Sequence, residues 1–197
     1  MMSEQKAQKC PDGNRADTGR LPKLEQLTRD KKGSLFFPRL AASDYGKTSD
    51  STPDYNCIAY AADDCARKWQ WWPRPEPGYY WPPQALDGDS PEALQSAFKA
   101  IGYEVCTGHE REEGYDKVAL YAGPDGTWSH AAKQRNDGQW SSKLGNGEDI
   151  RHATLMDVGD GDYGRPYCYM RRRRKETERN EEAKASQSAQ QPNPPLL

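Results

Sequence analysis

A chain of 197 residues, 34% apolar and 29% charged, has room for one domain with a core and for segments that stay outside it. The formal net charge of −2, from 28 basic and 30 acidic residues, argues against a global polyanion binder. The five cysteines, Cys10, Cys57, Cys65, Cys106 and Cys168, are odd in number and unclustered, which reads as a reduced, cytosolic set. Met1 to Lys6 lacks the apolar core of a signal peptide and no run approaches a membrane span, so the expected location is cytoplasmic, with no membrane partner.

Residues 1–20 are polar and patternless and read as a disordered tail. Leu21 to Leu27 reads as a docking turn or short helix, Ser34 to Pro38 as a short extended piece, and Ala41 to Asp54 as a loop. A helix is expected to start at Asn56, a good N-cap, and to run to about Ala66. Its spacing puts Cys57, Ile58, Ala61, Ala62 and Cys65 on one face and turns Asp63 and Asp64 away. The aromatic stretch Trp69 to Pro83 holds five prolines, which exclude regular structure. Ser90, Pro91 and Gly102 bracket the clearest helix, with Leu94, Ala97, Phe98 and Ile101 as its buried stripe.

Strands are expected over Tyr103–Cys106, Lys117–Ala122, Thr127–Gln134, Gln139–Leu144 and Tyr167–Met170, and Glu148–Val158 as a loop with one helical turn. These elements predict an α+β fold, a small antiparallel sheet packed against two helices, in a single domain over 21–171. From Arg171 onward seven basic and four acidic residues give +3, leaving −5 for residues 1–170. The cluster Arg171 to Lys175 opens a basic, low-complexity tail over 172–197, more naturally a solvated run than a nucleic-acid contact.

The chemistry centres on Cys57, in the first turn of its helix where backbone N–H groups favour an anion. About seventy residues on, His130 lies near the start of a strand. A first-turn helix cysteine followed by a strand histidine resembles the layout of papain-like cysteine hydrolases, in which an imidazole beside the thiol serves as base and a third polar group orients the ring. Hairpin geometry nominates that group. A two-residue Asp137-Gly138 loop sets residue 130 opposite 145, with Lys143 diagonal, whereas a three-residue Asn136-Asp137-Gly138 loop sets it opposite 144, with Ser142 on its face. A lysine cannot accept the imidazole proton, so Ser142 is the candidate, with Asn146 and Asp149 as alternatives. The Cys57 backbone N–H and the Asn56 side chain are the candidate oxyanion donors. Trp71, Trp72, Tyr80 and Trp81 either form a substrate-groove wall or plug the domain where prolines forbid regular structure.

The set Tyr55 to Ala61, Trp71 to Pro73, Tyr80 to Pro82, His130 to Gln134 and Trp140 to His152 resembles an uncharacterised bacterial domain family over roughly residues 21–171. The expected function is a cysteine peptidase, amidase or deamidase/acyl transferase acting on a peptide or protein, without cofactor. Cys106-x-x-His109 lacks a second ligand pair, so no metal site is expected. The alternative is a non-catalytic binding module that uses the aromatic loop 69–83.

Overall fold

The computed structural model describes Cys10 and residues 37–72 and 76–175. The expectations for residues 1–9 and 11–36, which include the Leu21–Leu27 element, and for the chain after Lys175 lie outside the described residues. Among the described residues the fold is α+β: a seven-stranded, antiparallel sheet with two α-helices packed on one face. The strands are β1 (Tyr45–Lys47), β4 (Glu104–Cys106), β5 (Tyr115–Ala122), β6 (Trp128–Gln134), β7 (Trp140–Lys143), β8 (Asp149–His152) and β9 (Arg165–Arg173), in the spatial order β1-β8-β7-β6-β5-β9-β4. Two further strands, β2 (Lys68–Trp69) and β3 (Tyr79–Tyr80), form a small parallel pair that closes the proline-rich loop on itself. No helix among the described residues is long and apolar enough to cross a membrane.

Helix α1 (Cys57–Ala61) starts as expected: Asn56 Oδ1 accepts the Ala59 N–H at 3.1 Å. It is five residues long, however, rather than ten. Asp63 takes a left-handed conformation, with φ at 60°, and ends the helix. Asp64 does not turn to solvent but inward, where its carboxylate accepts from Ala66 N, Arg67 Nε and Trp69 Nε1. Every residue of α1 is buried, so the helix is a plug rather than an amphipathic element. Helix α2 (Pro91–Ala100) has Ser90 as N-cap and buries Leu94, Ala97 and Phe98.

The alternation of the strands divides the core in two. On the helix face Val118, Leu120, Ala131, Cys168 and Met170 pack with α1 and α2. On the opposite face Ala119, Tyr121, Ala132, Trp140 and Ile150 pack with Leu40, Leu155, Val158 and Tyr163. Gly164, at φ 63°, follows Tyr163 at the turn into β9. A Cβ there would collide with Ala122 O, so only glycine lets this turn lie on the end of β5.

Three further sequence expectations change. The loops expected over 41–54 and 148–158 contain β1 and β8, which pair antiparallel from Tyr45↔His152 to Lys47↔Ile150. Strands of three or four residues carry little alternation of their own, and β1 gains its bonds only from the distant β8. The basic run is not the start of a tail, because Arg171–Arg173 belong to β9. Arg171 reaches Glu104 and Glu112 at 2.9 and 2.6 Å, and Arg172 and Arg174 both reach Asp116. Finally, Cys10 and Cys65 form a disulfide, leaving Cys57, Cys106 and Cys168 as free thiols. The expectation of a wholly reduced set is therefore corrected.

Candidate active site

Cys57 opens α1 and lies against β6, its sulfur 3.9 Å from the carbonyl oxygen of Ser129. Burial pushes its thiol up to about 11. The backbone N–H groups of Ala131, Ile58 and Cys57 itself pull the other way, as does the Lys143 ammonium. Asn56, expected to help at the oxyanion, is spent elsewhere: Oδ1 accepts from both Ala59 N and Trp69 N, and Nδ2 donates to Trp69 O at 2.7 Å. It fastens the helix start to β2, which leaves the Cys57 N–H as the one remaining candidate of the two expected oxyanion donors.

The hairpin has the three-residue loop. Arg135 N–H donates to Gln139 O, Gly138 sits at φ 86°, and the ladder pairs Lys133↔Ser141 and Gln134↔Trp140. His130 and Ser142 consequently share a face, with His130 Nε2 2.9 Å from Ser142 Oγ. That face is the one away from α1. The β5–β6 register runs Tyr121↔His130 and then Ala122↔Trp128, so Ser129 is the extra residue of a bulge that re-aims this end of β6.

Cys57 and His130 thus come from opposite faces, and no hydrogen bond joins them. What brings them near each other is an opening in the sheet. Continuing the β6–β7 register would pair Ala131 with Lys143, but the ladder stops two residues short of that pair. In its place the Cys57 sulfur lies by the Ala131 N–H, and Tyr163 Oη donates to Lys143 O at 3.2 Å. The sulfur therefore sits beside the backbone groups on either side of His130.

The imidazole itself is held tightly. It lies flat on Tyr163, with centroids 3.8 Å apart, and meets Tyr121 edge-on at 5.2 Å. Burial depresses its basicity well below the usual histidine range, with the neighbouring His152 adding to the effect. Its Nδ1 is buried and has no hydrogen-bond partner among the described residues. Beyond Ser142 the chain of bonds continues: Ser142 Oγ is 2.9 Å from His152 Nε2, and His152 Nδ1 is 2.8 Å from Thr154 O. His130, Ser142 and His152 are all fully buried.

Of the alternatives for the third residue, Asp149 points to the helix face and accepts from Tyr55 Oη at 2.7 Å, while Asn146 is exposed in the turn after β7. Lys143, also on the helix face, donates from Nζ to Gly147 O, and burial lowers its basicity. The aromatic candidates separate. Trp81 is core, stacked on Trp128 at 6.0 Å and donating to Leu86 O. Tyr80 lies half-buried under Arg67, and Trp71 donates to Asp89 Oδ1 at 2.6 Å. Only Trp72, 62% exposed, stands out into solvent. Among the described residues no group of three His, Cys, Asp or Glu side chains could hold a metal ion.

A family model described as a domain of unknown function, DUF7689, matches residues 46–171. The chain belongs to the DUF7689 family. No curated protein and no solved structure matches the chain. The DUF7689 segment runs from β1 into β9 and includes Cys57, His130, Ser142 and His152, but not Cys10. Two residues that pack on or bond to the candidate site are not among its sequence candidates: His152, in the expected loop 148–158, and Tyr163. The signal for His152 was the alternation Asp149-Ile150-Arg151-His152, which sets it on the same face as Ile150.

Proposed function

We propose that this DUF7689 protein is a papain-like cysteine hydrolase acting on a peptide, isopeptide or side-chain amide bond, with Cys57 as nucleophile and His130 as base. The observation that carries the reading is the Nδ1 of His130: a fully buried imidazole nitrogen without a partner, on the residue whose flanking backbone groups touch the Cys57 sulfur. Leaving such a group unpaired costs about 1–3 kcal/mol, a cost that folds tolerate mainly where function uses the group.

With the thiol shifted up and the imidazole shifted down, both groups are neutral near pH 7. The chemistry that fits is proton transfer during attack rather than a standing thiolate–imidazolium pair. As the sulfur–carbon bond forms at the carbonyl, the thiol proton passes to His130 Nδ1, and the Cys57 N–H supports the oxyanion. The carbon–nitrogen bond breaks as the departing nitrogen takes that proton; water then attacks the thioester with His130 again as base, the sulfur–carbon bond breaks, and the proton returns from His130 to the Cys57 sulfur. Ser142 holds the ring from Nε2.

The test is covalent labelling by a peptide carrying an electrophile at the scissile position, read by mass spectrometry. Cys57 should label faster than the half-exposed Cys106 of the same molecule, and His130→Ala should abolish that advantage. Labelling of Cys57 no faster than Cys106, and unchanged in His130→Ala, removes the reading.

One observation favours a second reading, a binding module for a peptide or protein: Trp72 and Leu86 are 62% and 60% exposed. It expects Cys57→Ala to retain binding of the biological partner and Trp72→Ala to lose it.

A further inference from the structure

We infer that His152 decides which ring nitrogen of His130 carries the proton, acting through the hydroxyl of Ser142. The argument is an accounting of donors along one chain of bonds. Thr154 O, 2.8 Å from His152 Nδ1, is a carbonyl and can only accept. His152 Nδ1 must therefore carry a hydrogen. His152 is fully buried, no carboxylate among the described residues bonds its ring, and desolvation outweighs the Thr154 bond and the Asp157 charge and holds its basicity down to about 4, so the ring is neutral and its Nε2 is bare. A bare nitrogen 2.9 Å from Ser142 Oγ requires the hydroxyl to donate to it. Having given its only hydrogen to His152, Ser142 Oγ can only accept from its other neighbour, His130 Nε2, also at 2.9 Å. His130 is then the Nε2–H tautomer, and its Nδ1 is the unprotonated nitrogen.

His152 is thus a positioning residue, two hydrogen bonds removed from the His130 ring, that leaves a lone pair on its unpartnered Nδ1. The two histidines hold opposite tautomers because one serine hydroxyl lies between them and can donate only once. The consequence for turnover rests on the hydrolase reading, whereas the tautomers do not.

The experiment is a two-bond nitrogen–hydrogen correlation spectrum of the full chain with isotope-labelled histidine, near neutral pH. The exposed His109 is assigned with His109→Gln. The wild type should show His130 protonated at Nε2 and His152 at Nδ1. Finding both rings in one tautomer, or His130 protonated at Nδ1, overturns the inference.

In His152→Leu the Ser142 hydroxyl loses its acceptor and turns to His130 Nε2, so the His130 proton should move to Nδ1. Persistence of a pure Nε2–H form in the folded variant also overturns the inference. Labelling of Cys57 by the electrophilic peptide should fall on the order of a hundredfold in the same variant, the share a lost general base takes. If the tautomers are as stated but wild-type Cys57 labels no faster than Cys106, the hydrolase reading fails and the role of His152 stands.

Discussion

The ring of His130 lies parallel to that of Tyr163, 5° from coplanar, with 3.8 Å between centroids. Tyr163 also ties down the open edge of the sheet, donating to Lys143 O and accepting from Gly145 N. The two contributions separate by substitution. Tyr163→Phe keeps the stack and loses the hydrogen bonds, and should lower unfolding free energy by about 1–2 kcal/mol. Tyr163→Ala loses both and should cost about 3–5 kcal/mol. Urea titration of the two variants checks this, and equal losses would mean that the stack contributes nothing.

Acid should loosen the buried relay. The folded-state pKa of His152 falls from 6.5 to about 4 through desolvation, and that of His130 is also depressed. As pH drops below 6.5 the unfolded chain binds protons that the folded chain refuses, so stability present above that pH is lost on the way down to about 4. His152 alone accounts for roughly 3 kcal/mol, with His130 acting in the same direction. Urea midpoints measured across this window should slide downward with pH, and His152→Leu should flatten the slide. A midpoint indifferent to pH between these limits contradicts the assignment.

The Cys10–Cys65 bond closes a loop of 55 residues in sequence separation. In the chain-entropy account a crosslink of that span stabilises by about 4 kcal/mol. Thiol titration of the denatured, unreduced protein should find three free cysteines, Cys57, Cys106 and Cys168. Reduction should lower the melting temperature of the wild type and leave Cys10→Ser/Cys65→Ser unchanged. Five titratable thiols before reduction would refute the pairing.

Asp64 is the pivot between α1 and the aromatic loop, 2% exposed and bonded to Trp69 Nε1 at 3.0 Å and Arg67 Nε at 2.8 Å. Asp64→Ala leaves a buried indole N–H and a guanidinium without their acceptor, and should cost about 3–5 kcal/mol in chemical denaturation. Asp64→Asn retains one acceptor oxygen and should cost less. Equal losses would show that the charge, not the bond to Trp69, matters.

Local signals in the chain are read correctly and distant ones are not. Asn136-Asp137-Gly138 is a turn by composition, and its length alone sets Ser142 on the face of His130. Asn56 and Ser90 announce their helices because capping is a first-turn property. The length of α1 is another matter: Arg67 and Trp69 lie only three and five residues beyond Asp64, but their bonds to it form once Trp69 is paired with Tyr80 in the β2–β3 ladder, so the inward turn that ends the helix depends on that pairing. The strand carrying His152 is only faintly marked, since four residues with one aliphatic alternate weakly and its second partner, β1, lies about a hundred residues away in sequence. The pairing of Cys65 with Cys10 likewise cannot be drawn from an odd cysteine count.

The place of β9 has a consequence for how the protein is made. It is the last strand among the described elements, yet it lies inside the sheet, pairing with β5 along Tyr115↔Arg173 to Ala122↔Arg165 on one side and with β4 on the other. During synthesis β5 waits with one edge bare until the ribosome has released residue 173. Closing the sheet is then a late, long-range event that chain growth itself delays.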